Sequence, residues 1–151
     1  MKTIDSLAEL PGLVGQHVAT SDWLTITQEQ VNQFAQATGD QQWIHVDVAR
    51  AQAGPFGAPI AHGFLTLALL PKFFESSLRI EASRMAVNYG LNRVRFMAPV
   101  PVGSRLRARM TLLKCEPVDQ DGMQFTWQVT IEREGVAKPV CVAESVLRRY
   151  P

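Results

Sequence analysis

The spacing of apolar residues divides this chain into a helical front half and a strand-rich back half. Val18 to Ile26 reads as a short strand. Thr27-Gln28-Glu29-Gln30 then has the form of a capping box, with the Thr27 hydroxyl accepting from the amide three residues on and Gln30 reaching back. Val31, Phe34 and Ala35 supply the apolar stripe of a short helix, and Gly39 stands where a left-handed C-terminal residue is expected. From Asp40 to Pro59 the period is lost. Gly54, Pro55, Gly57 and Pro59 interrupt regular structure, and an irregular connection of roughly twenty residues in a compact domain is usually functional. After Gly63, Phe64 to Leu70 is apolar on nearly every face, which predicts a fully buried helix. Pro71 must kink or end it.

Beyond the helix the period changes to two. Arg93 to Phe96 alternates, Arg105 to Met110 alternates again, and Gln124 to Ile131 gives the cleanest run. Asp121-Gly122 is a hairpin turn ahead of that run. Val140 to Leu147 is apolar on both faces, as a central strand would be. One buried helix followed by four antiparallel strands predicts an α+β fold, a single domain over residues 1–151 whose sheet wraps a central helix. That architecture is the hot dog. A sheet of this kind leaves a flank and an edge uncovered, and a homodimer closes both.

Composition narrows the function classes. Fifteen basic residues against fourteen acidic ones give a net charge of +1, with no basic stripe of the kind that nucleic acid requires. Met1 to Leu10 carries Asp5 and Glu9 and lacks the apolar core of a signal peptide, while Phe64 to Leu70 is too short to span a bilayer. Cys115 and Cys141 sit in strand-like surroundings without a CxxC or His/Cys cluster, so they read as packing residues. A cytoplasmic protein without a metal is the expectation.

Two features could carry chemistry. Asp40 and His45 lie five residues apart, just after a helix ends, and a carboxylate beside an imidazole can hold one water and move protons at neutral pH. The plainer reading is that Asp40 caps a turn and His45 is a polar loop residue. The second feature is Ala61-His62-Gly63, immediately before the apolar helix. A Gly there lets a ligand approach the backbone, and its free N–H suits a developing oxyanion. Tight packing alone would also call for a Gly. His62 reads as a structural histidine, His17 has no partner in the sequence, and the row Arg105, Arg107, Arg109 reads as a solvated strand face, although some arginines could meet phosphates.

Taken together, these residues resemble the MaoC-like family of (R)-specific enoyl-CoA hydratases, in its NodN-like branch. The family pattern of G-D, then H, then A-x-x-x-x-F-G, then I-A-H-G is met by Gly39-Asp40, His45, Ala51 to Gly57, and Ile60-Ala61-His62-Gly63. Asn88 to Phe96 and Ala98 to Gly103 resemble the strand that follows the hot-dog helix, and the likeness runs from about residue 15 to residue 150. Gln42-Trp43 stands where many members have Asn-Pro.

The resemblance implies hydration of a trans-2-enoyl-CoA to the (R)-3-hydroxyacyl-CoA. Asp40 and His45 would activate the water, with Asp40 as base and His45 as proton donor. The Gly63 N–H would bind the thioester oxygen, and Gln42, Gly63 and Phe96 would contact the substrate. CoA belongs to the substrate, and no other cofactor is expected. A hot-dog thioesterase, an acyl-carrier-protein dehydratase and a non-catalytic acyl-CoA-binding protein are the rival readings, because fold alone does not choose among them.

Overall fold

The period-two segments of the back half pair into one antiparallel sheet. In the computed structural model, which describes residues 1–151, β5 (Met85–Phe96), β6 (Arg105–Val118), β7 (Gly122–Arg133) and β8 (Cys141–Tyr150) are its long strands. The order is β2-β6-β7-β8-β5, where β2 is His17–Thr20; β3 (Leu24–Thr25) also pairs with β6. Alternation decides which side faces the core. Leu106, Ala108, Met110 and Leu112 of β6 and Phe125, Trp127, Val129 and Ile131 of β7 are buried. Each large apolar side chain withdrawn from water stabilises the fold by roughly 1.5–3 kcal/mol.

Against that face packs the central helical segment, α4 (Gly63–Ala68) and α5 (Leu70–Ser77), through Leu65, Leu70, Phe73 and Phe74. Phe74 meets Trp127 edge-on at 5.4 Å between ring centroids. The sheet wraps this segment in the hot-dog arrangement. Lys2–Ile4 (β1) and Leu78–Ile80 (β4) add a separate parallel pair that ties the N-terminus to the end of α5. Cys115 and Cys141 are both free, and burial pushes the Cys141 thiol up to about 11, as expected of a packing residue.

Four local expectations are corrected. The segment 18–26 is two strands, because Ser21 turns out of register and its hydroxyl accepts the Ala108 N–H at 2.8 Å. At the start of α1 (Gln28–Thr38), Thr27 caps the Gln30 amide at 3.2 Å, but the Gln30 side-chain oxygen is buried without a partner and does not return to the cap. The stretch expected to be irregular holds two short helices, α2 (Trp43–Val46) and α3 (Val48–Gln52), the second capped by the Asp47 carboxylate on the Arg50 amide. Finally, the central helix is not buried on every face. Phe64 is 69% exposed, and the segment breaks at Leu69 before Pro71.

Phe64 lies near a second exposed apolar feature. β5 is an edge strand of twelve residues, exposed along almost its whole length, and it carries Met85, Val87, Tyr89, Leu91 and Phe96 outward. A long apolar edge of this kind is a template for pairing with another strand.

Candidate active site

His45 reaches the site from the middle of α2 and is buried, at 6% exposure. Its Nδ1 lies 2.7 Å from the carbonyl oxygen of Ile60. A carbonyl can only accept, so Nδ1 carries the proton and Nε2 presents a lone pair. Nε2 lies 4.0 Å from Oδ2 of Asp40. Ile60 is itself fixed from two sides, since its N–H donates to Ile44 and it bridges to Pro101, just before β6. The histidine therefore inherits the rigidity of the sheet, although it sits on a four-residue helix.

Asp40 divides its two oxygens between the turn and His45. Oδ1 accepts the Gln42 N–H at 3.4 Å and closes the turn after Gly39, whose φ of 83° ends α1 in the left-handed region. Oδ2 is left facing His45, in a side chain that is 52% exposed. The turn-capping reading of Asp40 is thus realised, and its second oxygen stands 4.0 Å from the histidine. Gln42 is exposed and contributes its backbone N–H to this turn.

His62, read from the sequence as a structural histidine, packs within the cluster. It is 2% exposed, its ring stacks on His45 at 3.8 Å, and Phe34 of α1 closes its other side at 4.8 Å. Its Nε2–H donates to the Asp40 carbonyl at 3.0 Å, which leaves Nδ1 buried and unpartnered. One histidine thus holds both the backbone of Asp40 and the ring of His45. The Ala61-His62-Gly63 motif carried this signal, but its partners are tertiary.

Burial lowers the pKa of His45 below its ordinary 6.5. The Ile60 hydrogen bond raises it, His62 lowers it further and Asp40 raises it, but loss of water dominates. The imidazole is neutral at pH 7. Asp40, His45 and His62 also bring three potential metal-ligand atoms within 4.8 Å of one another. The two rings are inclined by only 25°, however, so their in-plane lone pairs run side by side instead of converging on one ion.

Gly63 is the first residue of α4, so its N–H has no acceptor within the helix. A Cβ added there would lie 3.1 Å from the Phe96 ring. Gly63 and Phe96 line a cavity of about 300 Å³ with Ile60, Ala61, Thr66 and Val100. The carbonyl that holds His45 therefore belongs to a residue of this cavity's wall. The arginine row of β6 lies elsewhere. Arg105 pairs with Glu134 at 2.8 Å, and Arg107 pairs with Glu132 and stacks on Trp23.

Comparison with known proteins decides the family. The profile of the MaoC like domain matches residues 9–133. This chain belongs to the MaoC-like family. The 3-hydroxyacyl-thioester dehydratase Z of Mycobacterium tuberculosis is 56% identical to this MaoC-like protein over 148 residues, covering 98% of each chain. Nodulation protein N of Rhizobium leguminosarum bv. viciae is 44% identical over 140 residues, covering 91% of this chain and 87% of that one. The R-hydratase PhaJ1 of Pseudomonas aeruginosa superimposes with a TM-score of 0.73 at 25% identity, covering 96% of this chain and 85% of that one. No helix of this chain is long and apolar enough to cross a membrane.

Proposed function

We propose that this MaoC-like protein is a hydro-lyase that adds water reversibly across the double bond of a trans-2-enoyl-CoA to give the (R)-3-hydroxyacyl-CoA. The observation that carries the reading is the neutral Nε2 of His45 facing the free oxygen of Asp40. Full-length similarity to a protein named as a 3-hydroxyacyl-thioester dehydratase supports it, because dehydration is the same reaction run in reverse.

The proton inventory changes the division of labour expected from the resemblance. Neutral His45 has no proton on Nε2 to give at the outset. In our reading one water sits between Nε2 and Asp40 Oδ2, and the exposed Asp40 side chain adjusts to admit it. The Gly63 N–H polarises the thioester carbonyl and the water oxygen bonds to C3. The water's proton passes to His45 Nε2 and on to C2, while Asp40 accepts a hydrogen bond from the other O–H, which stays on the oxygen as the product hydroxyl, and so orients the water. Atoms balance, and both residues return to their starting states. Proton transfer of this kind contributes typically 10²–10⁴-fold, and one oxyanion donor about 10²–10³-fold. The α4 segment is short, so the donor role rests on the Gly63 N–H itself more than on a helix dipole. No metal or redox cofactor enters this scheme.

The functional unit in this reading is a homodimer, joined along the apolar edge of β5 with Phe64 beside it. The acyl group is carried on CoA. Transfer to an acyl-carrier protein would leave every step unchanged, so carrier preference is measured separately.

The test is to mix the purified protein with trans-2-enoyl-CoA and follow the conjugated-thioester absorbance together with free thiol. Loss of absorbance without thiol release is expected. Thiol release would make it a thioesterase, and saturable binding without consumption would make it a binding protein.

A further inference from the structure

Eleven residues line the cavity at Gly63 and Phe96, and Thr66 is the one among them with a polar side chain. Thr66 is 2% exposed, and its hydroxyl oxygen is buried with no hydrogen-bond partner. Such a group destabilises the fold, because it has given up water and gained no bond in return. In an apolar ligand cavity, a single placed polar group is what orients the occupant.

The local ways of satisfying this hydroxyl are not taken. A helical threonine commonly donates to the carbonyl four residues back. Here that carbonyl belongs to His62, and it accepts the amides of Leu65 and Thr66 instead. His62 Nδ1, a buried acceptor on the same residue, is also without a partner, so the two side chains are not joined.

Position gives the hydroxyl a use. Gly63 and Thr66 stand three residues apart in α4, which makes them neighbours on one face of the helix. The Cα–Cβ bond of a helical residue tilts toward the N-terminus, so the Thr66 side chain leans back toward Gly63. The Gly63 N–H has no acceptor within the helix. Two donors, one from the backbone and one from a side chain, therefore belong to one cavity wall.

We propose that Thr66 is a catalytic residue whose hydroxyl donates to the thioester oxygen alongside the Gly63 N–H. The inference deepens the hydration reading and takes from it that the thioester carbonyl lies at Gly63. As the water oxygen bonds to C3, negative charge moves onto the carbonyl oxygen and both hydrogen bonds strengthen. Thr66 thus acts on turnover more than on binding, and it keeps its proton throughout.

Thr66→Val preserves the shape of the side chain and removes the hydroxyl. Its kcat for a trans-2-enoyl-CoA should fall at least about tenfold with KM little changed. Its melting temperature should stay level or rise, because a methyl replaces an unpaired buried hydroxyl. Thr66→Ser, which returns the hydroxyl, should recover most of the lost turnover. A hydroxyl bonded within the protein, to His62 for example, predicts the reverse, a lower melting temperature in Thr66→Val with kcat unchanged. That pattern, or full turnover at wild-type stability, overturns the inference and leaves the hydratase reading standing. If wild type hydrates no enoyl-CoA, butyryl-CoA isotope-labelled in its carbonyl decides, since it binds as a thioester but cannot be hydrated. Its carbonyl stretch in the infrared should lie lower when bound to wild type than to Thr66→Val. Equal frequencies, or no saturable binding of butyryl-CoA to wild type, overturn the inference.

Discussion

The Ile60 carbonyl accepts the Nδ1–H of His45 at 2.7 Å, and that one bond sets which nitrogen of the histidine faces Asp40. The residue supplying it lies fifteen positions away and is held by the chain entering β6.

Asp40→Asn and His45→Gln should each lower kcat by at least about 10²-fold, because each removes one partner of the bridging water. Their stabilities should differ. Asp40 is half exposed, and Asn can still close the turn, so its melting temperature should stay near wild type. His45 is buried and stacked, so its replacement should cost roughly 1–3 kcal/mol. Near-normal turnover in either variant, in steady-state kinetics, would remove the pair as the catalyst.

A lowered His45 pKa fixes the sign of the pH response. The unfolded chain takes up the proton near pH 6.5 and the folded protein only below that, so stability is full above 6.5 and falls as pH drops toward the folded value. Because neutral His45 is the acceptor in hydration, kcat/KM should stay level through neutral pH and decline on the acid side below 6.5. A pH–rate profile with no acid limb, or a limb above 6.5, would contradict the assigned protonation state. In His45→Gln the stability change over this range should shrink.

The β5 edge predicts a stable homodimer. Val87→Lys together with Leu91→Lys puts charge on two exposed apolar edge positions and should shift light-scattering mass from dimer to monomer. A wild-type monomer at micromolar concentration would refute the interface.

Gly63→Ala tests close approach. Ala suits a helix better than Gly, so the folded protein should remain stable. The added methyl would sit 3.1 Å from Phe96 and push that half-exposed ring by a few tenths of an ångström into the cavity mouth. We expect kcat/KM to fall at least about tenfold at an unchanged melting temperature. A stable, fully active Gly63→Ala protein would remove the close-approach requirement, though not the N–H donor.

The strands were legible because one face of each is buried, so period two survives in residues such as Phe125, Trp127 and Val129. Asp40 and His45 were legible as a spaced pair, and Gly63 as a glycine ahead of an apolar run. Four things were not legible, each because its cause is distant or too short to be periodic. Helices of four and five residues, α2 and α3, contain too little sequence to show a 3.6 period. The place of His62 depends on the Asp40 carbonyl and the His45 ring, neither of them near it in sequence. Phe64 reads as core because an apolar residue on a core helix and one beside an open sheet edge look alike in a local pattern. The unexpected tautomer of His45 has the same origin, since no local signal links it to Ile60.

The measurement that bears most directly on the central claim is the stereochemistry of the product formed from a trans-2-enoyl-CoA, resolved chromatographically for wild type and for the Asp40→Asn and His45→Gln variants. Wild type is expected to give the (R)-3-hydroxyacyl-CoA, and both variants to lose it. An (S) product, or free CoA in place of a hydrated thioester, would contradict it.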